Sequence, residues 1–413
     1  MKIIFFFTVA LCFLRAGAQT ISSQQYRDDY TYFCNTIDKN YCYWDKKQTD
    51  WNKVKNDYSP VVDTIHSKES FILLLEKLFY ELYDHHASLS ANTSESQKLV
   101  PSGTDVWAEY LKNKPIIIEV RKGSGADDAG LKAGMEVTAF NDVPIETALL
   151  PFFPKSLKKS DPEAKNYALR ILLAGNHIDQ RKLTMRYSNK VHDFFPDEKS
   201  SLEAPVYSNE IESKRLKGNT GYIRINNNLG DNHLILLFDS VLRSLKDTKA
   251  LILDLRETPS GGNTIVARSI LGSFISKEEF YQKHELTSEQ MEFGIKRGWV
   301  EIVSPKKYVY TKPLVILSDH WTGSVAEGIT IGFDAIKRAT VIGTKMAGLN
   351  GAVYSYSMPN TGIGFSIPAE KLFHVNGTPR ENYKPRILVD VTLQKKGEDL
   401  ILKEAMKFLK QNN

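Results

Sequence analysis

The chain has 413 residues, 42% apolar and 25% charged, the balance of an ordinary globular protein with length for roughly two or three domains. Its formal charge of +5 is small for that size and is not gathered into basic blocks, which excludes any compositional case for nucleic acid as a partner. Beyond residue 20 there is no apolar span of bilayer length, no repeat and no low-complexity tract, so no membrane span is expected once the leader is removed.

The leader comes first. Met1-Lys2 is a basic start, Ile3 to Leu14 is continuously apolar, and Ala16-Gly17-Ala18 offers small residues where a signal peptidase reads. Residues 1–18 therefore read as a signal peptide cleaved after Ala18, with the mature chain secreted or periplasmic; Leu11 before Cys12 argues against a lipoprotein. Cys34 and Cys42 remain in the mature chain. On one straight helix they would stand about 12 Å apart, so pairing needs a break near Asn40-Tyr41. Residues 19–100 read as a helical region, with the strongest apolar stripe from Phe71 through Phe79, Leu82 and Tyr83. That helix closes on Asp84-His85-His86. Adjacent histidines face apart and make a poor metal pair, and a histidine at a helix end is ordinarily solvated.

Residues 101–192 turn to strands. Pro115 to Val120 reads as one strand, Gly125 to Gly134 as a short helix punctuated by glycine, and Met135 to Val143 as a second strand ending in a turn. The Ala129-Gly130-Leu131-Lys132-Ala133-Gly134 run before this strand resembles a PDZ domain, with a helical insertion across Leu149 to Leu173. Such domains accept an extended peptide as an added strand. Ser200 to Lys217 is polar and reads as a connection. From there to 413 the rhythm is βαβ: Gly221 to Ile225, a helix from Leu234 to Leu245, and Ala250 to Arg256. The loop Glu257 to Asn263 contains Gly261-Gly262 and precedes a helix through Ile270-Leu271. It lacks the Walker lysine and the dinucleotide glycine spacing, and its amides suit an oxyanion equally well.

Pro313 to Leu317 is an apolar run short enough for a buried strand, and Val325 to Ile336 has helical periodicity. Between them stands Ser324. Read locally, it is either an N-cap paired with Glu327 in a capping box or a serine exposed at a strand-to-helix turn beside unpaired N–H groups.

Together, Leu82 to His86, Asp254 to Gly262, Gly323 to Glu327 and Gly377 to Pro385 resemble, in order, the motifs of the C-terminal processing and tricorn-type serine peptidases. The resemblance implies an α/β, crotonase-like catalytic domain over 200–413, preceded by the helical region and the PDZ-like β-rich domain. It implies a serine endopeptidase acting on peptides or proteins without metal or cofactor, with Ser324 as nucleophile, His86 as base and Glu381 in support. Gly261, Gly262 and the Val325 N–H would hold the oxyanion. The turn Gly348-Leu349-Asn350-Gly351 lacks the lysine of the processing branch, which favours the tricorn-like branch; Lys345 lies nearby. His85 departs from the pattern, which has a serine there. A free histidine near pKa 6.5 suits the base role at neutral pH. A catalytically silent peptide-binding relative and an esterase are the alternatives.

Overall fold

The computed structural model describes residues 21–198, 207–395 and 397–412. The expected leader lies outside the described residues, and no helix within them is long and apolar enough to cross a membrane. Three helices open the described chain: Ser23–Asn40, Trp51–Val62 and Lys68–Leu82. Each starts at a polar residue whose side chain accepts a first-turn N–H: Ser22 from Gln25, Asp50 from Lys53 and Ser67 from Ser70. Their apolar faces, with Phe33, Trp51, Phe71 and Leu82, share one core with Phe365 and Ile367 of the strand Gly364–Phe373. The first helix does end at Asn40, yet Cys34 and Cys42 are buried and unpaired.

Gly364–Phe373 is the centre of a 5-stranded sheet, pairing antiparallel with Ser88–Leu89, Glu279–Leu286 and Ala352–Ser357, while Arg297–Val303 adds the outer edge. A second, 6-stranded sheet spans 106–194: Val106–Leu111, Lys114–Val120, Glu136–Phe140, Leu183–Tyr187 and Lys190–Phe194 run in that order, with Val143–Pro144 beside the third. The Asn141-Asp142 turn has φ of 47° and 64°, the pair of positive values that a tight two-residue hairpin requires. Pro162–Ala174 covers this sheet, burying Leu169, Leu172 and Leu173 against Val106 and Ile117.

The third sheet positions the site. Its order is Ile387–Leu388, Thr340–Gly343, Leu314–Ser318, Ala250–Asp254, Thr220–Ile225 and Ile211–Leu216. The first five are parallel. Every residue of Ala250–Asp254 and Leu314–Ser318 is buried, as central parallel strands must be when helices cover both faces. Alternation divides them: Leu251, Leu253, Leu314 and Ile316 face Phe238, Ile270, Ile329 and Phe333 of the helices His233–Ser244, Thr264–Gly272 and Val325–Ala335. Ile252, Val315 and Leu317 face Ile401, Ala405 and Leu409 of Leu400–Asn412. The polar stretch expected as a connection is corrected here. Ile211–Leu216 pairs antiparallel with Thr220–Ile225 as an edge strand, and its half-exposed position explains why it carries no apolar run.

Candidate active site

The loops after Ala250–Asp254, Leu314–Ser318 and Thr340–Gly343 leave the carboxyl ends of parallel strands, where open α/β sheets gather their functional groups, and the helix Lys68–Leu82 brings a further segment to them. The loop after Ala250–Asp254 and the loop after Leu314–Ser318 are stitched together by a bridge between Thr258 and Thr322 and by Gly323 N–H donating to Thr258 C=O at 3.2 Å. Trp321, fully buried, anchors the second loop by donating Nε1–H to the Thr104 carbonyl at 2.8 Å. Ser324 follows with φ 51° and ψ −111°, a backbone conformation that a side-chain-bearing residue adopts only when its surroundings impose it. Glu327 supplies part of that imposition. Its Oε2 accepts the Ser324 N–H at 2.9 Å and its Oε1 accepts the Gly348 N–H at 3.0 Å. The capping box expected between Ser324 and Glu327 is thus present, and the serine hydroxyl has a further partner.

It faces His86. Ser324 Oγ lies 3.0 Å from His86 Nε2, across 238 positions of sequence. The histidine reaches it because Lys68–Leu82 ends at Tyr83 in the left-handed region, φ 39°, turning the chain sharply at Asp84. Tyr83 is fixed there: its hydroxyl accepts the Gln48 N–H at 2.6 Å and donates to Asp161 at 2.8 Å. His86 Nδ1 lies 2.6 Å from the Asn350 carbonyl. A carbonyl only accepts, so Nδ1 carries the proton and Nε2 presents a lone pair to the Ser324 hydroxyl. Asp84 organises this arrangement from beneath. Its carboxylate accepts from Tyr41 O–H at 2.6 Å, Asn350 Nδ2–H at 2.8 Å and the His86 backbone N–H at 2.9 Å.

The expectation of a solvated helix-end histidine, with an ordinary titration near 6.5, is corrected by this enclosure. Burial, then the Arg380 guanidinium, lowers the His86 pKa to about 4. Glu327 moves the other way, burial raising its carboxyl to about 7. Arg380 is itself buried and donates to the Leu349 and Gly351 carbonyls at 3.0 and 2.6 Å.

The remaining sequence candidates are distributed around this pair. Gly261 touches the serine: a Cβ there would lie 2.5 Å from Ser324 Cβ and 3.3 Å from the Val325 nitrogen, so only glycine fits. Gly262 packs instead on Leu229, where a Cβ would meet the backbone at 2.2 Å. Glu381 lines the same cavity of about 640 Å³ as Asp84, Glu327 and Asn350, but its carboxylate is paired with Lys46; the hydrogen bonds on His86 come from Asn350 and Asp84. Lys345 sits exposed on the rim of that cavity. His85 turns away from Ser324 and stacks on Tyr167 with ring centroids 4.5 Å apart. Sequence reasoning missed Asn350 and Asp84 as site residues and read Glu327 only as a cap. Asp84 beside His86 was the available signal. An imidazole with a fixed tautomer against a serine hydroxyl can take that proton and return it to a leaving group.

Residues 219–392 match the peptidase family S41 model and residues 22–80 match the tricorn protease C1 domain. The fold is shared with the crystal structure of mature CPAF, at 16% identity, covering 94% of this chain and 97% of that one with a TM-score of 0.62. It is shared also with the photosystem II D1 C-terminal processing protease, at 14% identity, covering 91% and 95% with a TM-score of 0.54. The stretch 219–392 is a peptidase family S41 domain, and the chain that carries it is a serine-type peptidase.

Proposed function

We propose that the chain is an endopeptidase in which Ser324 is the nucleophile and His86 the general base. The observation that carries this reading is the 3.0 Å approach of Ser324 Oγ to His86 Nε2, with Nδ1 held by the Asn350 carbonyl. In the acylation step Oγ bonds to the scissile carbonyl carbon while its proton passes to Nε2. As the tetrahedral intermediate collapses, the C–N bond breaks and Nε2 returns the proton to the leaving amine. Water then repeats the sequence on the acyl-enzyme and frees Ser324. The N–H groups of Val325 and the Gly261-Gly262 turn are assigned to the developing oxyanion, where losing one donor typically costs about 2.7–4 kcal/mol of barrier. Asn350, oriented by Asp84, takes the place that a side-chain acid fills in a Ser-His-Asp triad. Glu381 contributes charge to the pocket through its pair with Lys46.

In this reading the parallel sheet and its helices form a crotonase-like catalytic domain over 200–413, the antiparallel unit over 101–192 is a PDZ-like domain that selects or delivers peptide, and 19–100 is the helical region that supplies His86. The leader read in 1–18 supports a secreted or periplasmic location. The test is peptide hydrolysis by purified wild type, Ser324→Ala and His86→Ala. Loss of kcat/KM by several orders of magnitude in both variants, with unchanged thermal unfolding, is the expected result. Equal cleavage by Ser324→Ala sinks the assignment.

A further inference from the structure

A second cavity, about 340 Å³, lies on the far side of His85 between the helix Lys68–Leu82 and the helix Pro162–Ala174. Asp84 and His85 line both cavities, and the first is also lined by Glu327 and Asn350, which hold the Ser324 N–H and His86 Nδ1. Phe79, Tyr80, Leu89, Tyr167 and Ile171 give the second cavity its apolar and aromatic walls. Both ring nitrogens of His85 are buried and have no hydrogen-bond partner. Burial, with Arg170 and Lys47 adding to it, holds the imidazole well below its ordinary pKa and hence neutral. A neutral imidazole has one donor and one acceptor, and leaving both unmet inside a protein is costly. An extended main chain offers the matching pair, a C=O and an N–H.

Resting on the peptidase reading above, we propose that this cavity is a substrate subsite. A polypeptide bound for cleavage at Ser324 passes along the Asp84-His85 wall, hydrogen-bonds its main chain to His85, and sets one large apolar or aromatic side chain between Tyr80, Tyr167 and Ile171. The peptidase therefore prefers such a residue at one fixed position near the scissile bond. The Asp84-His85 wall shared with the cavity beside Glu327 and Asn350, together with the unmet pair on His85, commits the occupant to substrate.

The test uses the full chain and fluorogenic decapeptides varied one position at a time, with a short activated ester as a probe too small to reach the second cavity. Wild type should favour Phe, Tyr or Leu over Gly at one position by about 10–200-fold in kcat/KM, the range an apolar pocket commands. Ala91→Trp, which fills the cavity from its rim, should erase that preference while ester hydrolysis stays within about 2-fold. His85→Phe keeps a ring to stack on Tyr167 but removes both nitrogens; it should raise KM for the decapeptides about 10-fold. A preference that survives Ala91→Trp, or a wild type with no preference at any position, overturns the subsite. Absence of ester hydrolysis by wild type would instead strike at the peptidase reading itself.

Discussion

Acidification is the perturbation that separates this site from an ordinary histidine-serine pair. A base must be neutral in the free enzyme, so kcat/KM tracks the unprotonated fraction of His86. With burial and Arg380 holding that residue to about 4, about 97% of the enzyme keeps its base at pH 5.5, whereas a base at about 6.5 would be only about 9% competent there. The expected profile is therefore nearly flat from pH 7.5 to 5.5 and falls only near pH 4 to 5, a difference of about tenfold at pH 5.5. Glu327, near 7, adds a shallow step because its protonation replaces an acceptor facing the Ser324 or Gly348 N–H by a hydroxyl. Glu327→Gln should be slower throughout and lack that step. The assay is initial-rate hydrolysis of a fluorogenic peptide well below KM, from pH 4.5 to 8.5 at constant ionic strength, bracketed by activity recovery at pH 7.5. A single ionisation between pH 6 and 7 that persists in Glu327→Gln would refute the burial argument for His86.

Asp84→Ala frees the Asn350 side chain, the Tyr41 hydroxyl and the His86 backbone; kcat should fall by about 10²-fold with little change in KM, as expected when a catalytic group is misplaced by about 1 Å. Glu327→Ala leaves the Ser324 and Gly348 N–H groups unpaired and should lower stability by about 1–3 kcal/mol for each, read from urea unfolding. His85 and His86 are both depressed in the folded chain, so the unfolded chain binds more protons below its own value of about 6.5; their contribution is complete above that pH and is lost as pH falls toward 4. Thermal unfolding of Ser324→Ala at pH 7.5 and pH 5 should show the lower midpoint at pH 5. Lys345→Ala should change kcat/KM less than about 3-fold, because Lys345 is an exposed rim residue with no bond to Ser324; loss of activity there would restore a lysine base.

The parallel sheet was legible because its strands are buried on both faces and therefore read as unbroken apolar runs, as in Ala250–Asp254 and Leu314–Ser318. The 5-stranded sheet was not. Arg297–Val303 exposes most of its residues and shows no regular alternation, so its sequence carries little burial signal. Ile211–Leu216 escaped for the same reason. Within the site, the motifs marked Ser324 and His86 as candidates, and the structure sets them 3.0 Å apart. Asn350 acts through its backbone carbonyl, a group every residue possesses, and no side-chain pattern announces it. The depressed titration of His86 was equally hidden, because it depends on Arg380, 294 positions later by the numbering, and on enclosure by loops from separate strands.

The claim on which everything else depends is that the Ser324 hydroxyl is activated by His86 Nε2. Intact-mass and peptide-mapping analysis after treatment with a fluorophosphonate tests it most directly. Wild type should gain one adduct, mapped to Ser324; Ser324→Ala should gain none, and His86→Ala should react at least about 10²-fold more slowly, within the range general-base assistance supplies. An adduct on another residue, or labelling of Ser324 at the wild-type rate in His86→Ala, would contradict it.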